Sequence, residues 1–455
     1  MKKICIMLLT LVLTFGFYPG YIDAGQAVKV KINGQVRNFQ PGGMVVQGRV
    51  MLPLRFIVED PAVQGQVAWD STSQQVTISC NQNNVVFILG QRRVLVNGVE
   101  KTIDVAPFAF QDRTYIPLRV FSEALGATVG WKPSEQTAII NFTAKPRVMG
   151  YYYYGTPELL DHSSVTDVAF RWLETDGNGS LFYEYWNNSS GAQKRDNALA
   201  RARQNGIKIH ASVALMGWDA AGKAKLHQLL SNPDNRNVLI NNLRQHAAQF
   251  GYDGINIDLE NVPKEDKANF VVFLSDLAAV LHQDNRVLSV AIPARTAKTA
   301  TWHAGYDYAG IGSAADLVVV MAYDYHFSNP GPSSPTDWFE DVTDYTVSYI
   351  PPNKVLMGIG TYGYDWNLAN NNRKTLDQNS LDKLIANGAI QRWDSATYTP
   401  YIKYWDASGN QHEAWYENQV SLNEKYALAL EHNLAGIGFW QMRNAFRDFY
   451  TTLGE

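Results

Sequence analysis

"DGINIDLEN", residues 253–261, sets the polar side chains of Asn256, Asp258 and Glu260 in alternation with Ile255, Ile257 and Leu259. A period of two describes a strand whose successive side chains point to opposite faces. The apolar face is easily buried. The other crowds an amide and two carboxylates together, and burying such groups is costly unless they are paired. A strand carries that cost where chemistry needs those groups on its inner face.

Outward from this stretch, strand-like apolar runs recur: "VMGYYYY" (148–154), "DVAFRWL" (167–173), "IKIHASVAL" (207–215), "GINIDLE" (254–260), "VLSVAIP" (287–293), "DLVVVMAY" (316–323), "KVLMGIGTY" (354–362) and "AGIGFWQM" (435–442). Amphipathic stretches such as 193–204, 235–250 and 264–282 lie between many of them. Eight strands alternating with helices predict an α/β fold, a closed parallel (β/α)8 TIM barrel. The stretch between the seventh and eighth runs is too long for one crossover helix. It predicts a small α+β insertion, about residues 370–418, then a last helix over 421–433. Reacting groups in such a barrel sit at the C-terminal ends of strands. "DGINIDLEN" is the fourth strand, so Asn256, Asp258 and Glu260 rise inward towards the open face, with Glu260 nearest a ligand.

These residues resemble the signature of glycoside hydrolase family 18, the chitinase and N-acetylglucosaminidase family, which reads Asp-Gly-x-Asp-x-Asp-x-Glu on the fourth strand. Asp253, Gly254, Asp258 and Glu260 match, and Asn256 stands where the family has its middle Asp. "MAYDYH" (321–326) resembles the sixth-strand Met-x-Tyr-Asp pattern, "GIGTYGYDW" the seventh strand, "EAWYEN" the insertion's closing strand, and "GIGFWQM" the eighth strand, which ends in a tryptophan. The resemblance spans residues 147 to about 450. "NIDLEN", with "AIPAR" and "WHAGYDYAGIG", is most similar to the branch with bacterial spore and cell-wall N-acetylglucosaminidases. "ASVALMGW" lacks the Ser-x-Gly-Gly of many chitinases.

The resemblance implies a retaining, substrate-assisted glycosidase, outside the usual two-carboxylate scheme. The substrate's 2-acetamido oxygen attacks the anomeric carbon, and the protein supplies an acid and a group that holds the acetamido N–H. It implies Glu260 as the general acid/base, kept protonated by burial and by the charge of Asp258. Asp258 would turn to the acetamido N–H, with Asn256 hydrogen-bonded to it. Tyr323 would hold the acetamido carbonyl and Asp324 contact the sugar. Trp440 is the expected platform under the reacting sugar, and Tyr151 and Trp366 are further groove candidates. The implied alternatives are a chitinase acting on chitin oligomers and an inactive wall-glycan-binding lectin, which typically lacks the acid.

The first part of the chain repeats itself. "GRVMLPLRFIVE" (48–59) parallels "DRTYIPLRVFSE" (112–123), and each leads to a tryptophan, Trp69 and Trp131. Each unit reads as strand, Pro-Leu-Arg, short helix and hairpin. Short strands lie between them, with an Asn97-Gly98 turn. Residues 28–143 thus form one small α+β module. It resembles the copper amine oxidase N-terminal-like, or stalk, domain of exported Gram-positive proteins, which implies a spacer or wall-associating role. No histidine precedes His162, so a copper site in this module lacks its usual ligand.

Residues 1–24 read as an export signal: Lys2 and Lys3, an apolar run, and a small-residue exit near Ala24. The catalytic part follows as residues 147–455. The chain has 455 residues, 46% apolar and 18% charged, with net charge −4. That balance lacks the basic face that nucleic acid requires. The expected partner is a polysaccharide, peptidoglycan or chitin, and no membrane contact is expected after signal cleavage. The expected location is secreted or associated with a bacterial cell wall. After signal removal only Cys80 remains, too few for an internal disulfide. No metal and no cofactor are expected. Gly358-x-Gly360-x-x-Gly363 mimics a dinucleotide fingerprint but leads into a polar loop instead of a helix. "HEAWY" at His412 lacks a second histidine four residues on.

Overall fold

The computed structural model describes residues 28–39, 42–80, 83–142, 146–183, 189–299, 303–446, 449–450 and 453. The expected signal at 1–24 lies outside them. Among the described residues no helix is long and apolar enough to cross a membrane.

The chain divides into two compact units, one of residues up to Lys29 with Asn38–Leu125, the other of Val30–Arg37 with Gly126–Glu455. In the first unit the two sequence repeats meet directly. Strand Arg49–Pro53 runs into helix Leu54–Val58, and strand Arg113–Pro117 into helix Leu118–Ala124. The two strands pair antiparallel, with Leu52 opposite Ile116. Proline serves at these junctions because its fixed φ suits the turn from strand to helix. A five-stranded antiparallel sheet, Gln66–Asp70 through Val99–Thr102, completes the unit. Its hairpin turns at Asn97 and Gly98, both at positive φ.

The second unit holds the barrel. Its parallel strands are Arg147–Tyr152, Asp167–Thr175, Lys208–Met216, Gly254–Glu260, Val287–Pro293, Leu317–Met321, Val355–Gly360 and Gly436–Trp440. The first pairs with both the second and the eighth, so the sheet closes on itself. The residues facing the helices are almost all Val, Ile, Leu and Phe and are buried.

The sequence boundary at 143–147 falls inside this second unit. Strands Thr128–Lys132 and Thr137–Asn141 form one four-stranded sheet with Lys29–Ile32 and Gln35–Arg37. That sheet packs on the last helix, Gln419–Glu431. Glu431 takes Lys31 at 2.5 Å and Lys132 at 3.1 Å, and the Asn141 amide donates to the Leu430 carbonyl at 2.8 Å. Gly130 lies so close to Leu430 that a Cβ would meet it at 2.6 Å.

The insertion is an antiparallel five-stranded sheet with one helix, Gln378–Ala386. It begins earlier than residue 370, because "GYDWN" leaves the barrel and forms strand Gly363–Asn367, paired with Gln411–Trp415. The glycines at 358, 360 and 363 therefore join one strand to another. Their smallness has a local cause at Gly358, where a Cβ would meet the Val320 carbonyl at 2.5 Å and the Tyr323 ring at 3.2 Å.

Candidate active site

The fourth strand is fixed from below. Helix Pro233–Phe250 ends at Gly251, which takes the left-handed conformation. The Asp253 carboxylate then accepts from the Ile209 backbone N–H at 2.9 Å and from Lys208 Nζ at 3.1 Å. Gly254 follows because a Cβ there would meet the Val287 carbonyl and the His210 ring, each at 2.6 Å. The Asp-Gly pair thus sets the strand's height, and the three inward polar residues follow from it.

Asn256 forms the lowest layer. In register it lies between Ser212 and Ser289 on the flanking strands. Ser212 Oγ donates to Asn256 Oδ1 at 2.9 Å, and Asn256 Nδ2 donates to Ser289 Oγ at 3.0 Å. Ser289 lies 3.2 Å from His210 Nδ1, and His210 Nε2 lies 3.2 Å from Asp167, which also takes Arg147 at 2.7 Å. The sequence reading gives Asn256 a bond to Asp258 and a share in substrate binding. The structure buries it in the barrel floor, 0% exposed, with its amide bonded to the two serines of its own layer instead of to Asp258 and within hydrogen-bond reach of the Tyr151 hydroxyl. The two serines stand at its level, whereas Asp258 stands one layer higher.

Asp258 is buried beside Ala214 in register. Its Oδ2 lies 3.6 Å from Arg171 Nε. Its Oδ1 is buried without a hydrogen-bond partner among the described residues. Burial raises its pKa and the Arg171 guanidinium opposes the rise. Arg171 is held in turn by Glu174, which accepts from Nη2 at 2.8 Å. The second strand bulges between Arg171 and Leu173, an irregularity of the kind that re-aims a side chain near a site.

Glu260 stands at the strand's end. Its Oε2 accepts from the Trp218 indole N–H at 2.9 Å. Burial pushes its carboxyl up to about 7, the charge of Asp258 adds to the rise, and Trp218 and Arg171 pull against it. A carboxyl in that range carries a proton near neutrality and can give it up, as a general acid must.

Around this pair stand aromatic groups from several strands. Trp440, half-buried at the end of the eighth strand, meets Tyr151 edge-on at 5.8 Å and lies 6.0 Å from Tyr153. The Tyr151 hydroxyl is fully buried beside the Asn256 amide; burial and then the charge of Asp258 raise its pKa, and the Asn256 side chain opposes the rise. Tyr323 is half-buried, and burial and then the Tyr151 and Asp258 groups push its phenol well up. Asp324, at φ 62°, accepts on one oxygen from the Tyr362 and Tyr364 hydroxyls, at 2.8 and 2.7 Å. It thereby ties the end of the sixth strand to the start of the insertion. Trp366 is 2% exposed. It packs against Tyr364 and under Arg373, whose guanidinium also lies over Phe327 and Tyr364. It supports the wall more than it offers a face to a sugar.

The structure thus brings Glu260, Asp258, Tyr323, Tyr151 and Trp440 to one end of the barrel, with Asn256 beneath and Trp366 behind. Sequence reasoning missed Arg171 and Trp218. Arg171 was signalled by a charge at an inward position of "DVAFRWL". Trp218 follows its strand by two residues, where alternation says nothing. Among the described residues no three His, Cys, Asp or Glu side chains are grouped to hold a metal ion.

A parallel eight-stranded barrel with this carboxylate strand defines a glycosidase. The match to the family described as "Glycosyl hydrolases family 18" covers residues 147–445, and the chain belongs to that family. Residues 31–140 match the copper amine oxidase N-terminal domain. The chain is 33% identical over 227 residues to the putative sporulation-specific glycosylase YdhD of Bacillus subtilis, covering 49% of this chain and 54% of that protein. It is 29% identical over 236 residues to the cortical fragment-lytic enzyme of the same organism, covering 50% of this chain and 55% of the enzyme. The chain therefore spans about half the length of the curated relatives it matches. Among solved structures it resembles a chitinase from Chromobacterium violaceum, with TM-score 0.62 and 28% identity, covering 68% of this chain and 98% of that one.

Proposed function

We propose that the protein is an exported N-acetylglucosaminidase that cleaves bacterial peptidoglycan by the retaining, substrate-assisted route. The observation that carries this reading is the pairing of Glu260, poised near 7, with Asp258, whose Oδ1 is buried and unpartnered. A retaining enzyme with its own nucleophile needs a second carboxylate facing the anomeric carbon. Here the second carboxylate lies beneath the acid on the same strand, where it can take an acetamido N–H. Asp258 then stabilises the positive oxazolinium ring that forms as the acetamido oxygen attacks. Tyr323 holds the acetamido group for that attack, and Trp440 with Tyr151 stacks beneath the reacting sugar. Glu260 gives its proton to the leaving oxygen and later takes one from the incoming water.

Peptidoglycan is favoured over chitin by the names of the curated relatives, a sporulation-specific glycosylase and a cortical fragment-lytic enzyme, and by the stalk-like module. Chitin remains the second reading, favoured by the match to the C. violaceum chitinase. The lectin reading is disfavoured by the presence of Glu260. The acetamido nucleophile is present on both wall sugars, and muramic acid also carries a bulky lactyl ether and peptide that need an open neighbouring subsite, so N-acetylglucosamine occupies the reacting subsite and becomes the new reducing end. Digestion of peptidoglycan and chitin side by side, then borohydride reduction and acid hydrolysis, tests this. Glucosaminitol from peptidoglycan is expected. Dominant muramicitol, or cleavage of chitin alone, would refute the substrate assignment.

A further inference from the structure

Next to the catalytic centre an open cavity of about 580 Å³ begins at Asn261, the residue after Glu260. Lys223 and His227 line it from helix Ala220–Ser231, Asn261, Lys264 and Glu265 from the segment after the fourth strand, and His303 from beyond the fifth. The site is tied closely to the acid. Trp218, just ahead of the helix, bonds Glu260. Gly217 is so tightly packed that a Cβ would meet the carbonyls of Glu260 and Asn261 at 2.8 and 2.9 Å.

Its place in the barrel sets what part of a glycan can reach it. Trp440 and Tyr151 stand on the eighth and first strands, across the barrel from the fourth. A sugar stacked there has its leaving oxygen towards Glu260, and the next sugar extends past Glu260 towards the cavity. The lining has two ammonium groups against the one carboxylate of Glu265. His227 is bonded to the buried Asp266 at 2.9 Å. Burial and Arg295 hold the His303 pKa down, so it serves as a neutral polar group. A neutral N-acetylglucosamine polymer has no group that uses two ammonium ions.

We propose that this cavity is a subsite for the carboxylate-bearing O3 substituent of the sugar on the leaving side, which selects an anionic wall glycan over neutral chitin. The inference rests on the reacting-sugar placement of the proposed function. The carboxylate can belong to a free lactyl ether or to a stem peptide attached to it. Exposed ammonium–carboxylate contacts each contribute a factor of about 1.5 to 5, and the factors multiply, so the two lysines together account for roughly ten-fold tighter binding. That preference weakens as salt screens the charges.

The test is binding in a Glu260→Gln background, so that it does not depend on turnover. Calorimetry compares peptide-free muramic-acid oligosaccharides, the same oligosaccharides with their carboxylates amidated, stem-peptide-bearing fragments, and chitotetraose. The expected result is about ten-fold weaker binding of one or both acid-bearing ligands in Lys223→Gln/Lys264→Gln, with amidated ligand and chitotetraose unchanged. Lys223→Arg/Lys264→Arg should restore the preference, which controls for folding. The acid-bearing ligand that responds identifies the source of the carboxylate. Equal affinity for charged and amidated ligands, or a preference that survives the double Gln substitution, overturns the inference. Cleavage by the protein with Glu260 intact is scored separately, so a wrong hydrolase reading and a wrong subsite give different results.

Discussion

Arg171 Nε lies 3.6 Å from Asp258 Oδ2, with both side chains buried. The residue one layer below, Asn256, is neutral and turned to Ser212 and Ser289. The charge of Asp258 is therefore balanced from the second strand and not by a partner on its own. The Arg171 guanidinium opposes the rise that burial imposes on the Asp258 pKa; in the proposed mechanism the ionised form it favours supports the proton on Glu260 and meets the oxazolinium charge.

Arg171→Met should therefore do two things. Removing one partner of a buried ion pair destabilises by about 3 kcal/mol, read as a lower denaturation midpoint. It should also raise the Asp258 pKa further, so that the acidic limb of kcat/KM moves to higher pH. The limb belongs to the coupled Asp258–Glu260 pair. Arg171→Lys should recover part of that shift. A variant that is less stable but keeps the wild-type pH profile would leave Arg171 a packing residue only.

Glu260 should show in both activity and stability. In the proposed mechanism its acid form is the working one, so kcat/KM should fall as pH rises through about 7. Its folded pKa is raised above the ordinary carboxyl value of 4.5. Such a group contributes full stability below its unfolded pKa and loses it as pH rises towards the folded one. Glu260→Gln removes that loss. The variant should lose roughly 10²–10⁴-fold in turnover, yet be more stable than the parent by about 2 kcal/mol at pH 8. The stability gain should vanish near pH 4.5. Near-normal turnover would end the catalytic assignment. A gain independent of pH would show that Glu260 does not titrate as described.

Asn256→Asp tests the floor. The amide donates to Ser289 and accepts from Ser212, and a carboxylate cannot do the first. An ionised Asp at this position would also lie buried below Asp258. Its folded pKa should be raised, so the variant should approach wild-type stability at low pH and lose stability as pH rises through that pKa. A loss of about 1–3 kcal/mol at pH 7 is expected from the unsatisfied layer, read by thermal melts across pH. Unchanged melting at pH 7 would show that the layer is not selective for the amide.

The barrel was legible because it rests on repeated local signals. Eight apolar runs, each long enough for a strand and most of them separated by helical stretches, all became barrel strands. Glu260 and Asp258 were legible because inward positions on one strand follow from alternation. What alternation cannot give is height and cross-strand partners. Asn256 reads as a neighbour of Asp258, yet lies in another layer with residues from two other strands. Arg171 meets Asp258 only because the sheet closes and the second strand bulges. Where "GYDWN" belongs depends on its pairing with Gln411–Trp415, a contact distant in sequence. The sheet formed by Lys29–Arg37 and Thr128–Asn141 joins the barrel unit through the Lys31 and Lys132 contacts with Glu431, which no local pattern announces.

Trp218 provides the last test. Its indole is 70% exposed, and its N–H still reaches Glu260 at 2.9 Å. A hydrogen bond donated to the carboxylate favours the ionised form, so this contact holds the Glu260 pKa below the value that burial alone would set. Trp218→Phe keeps an aromatic ring and removes only the donor. The Glu260 pKa should rise, and the basic limb of kcat/KM should move to higher pH by up to about one unit. Trp218→Ala should show the same pH shift together with a higher KM, because it also removes aromatic surface beside the acid. A basic limb unmoved in both variants would mean that the indole does not bond Glu260 in the working enzyme. A shift in Trp218→Ala alone would place the effect in solvent exclusion by the ring instead of in the N–H.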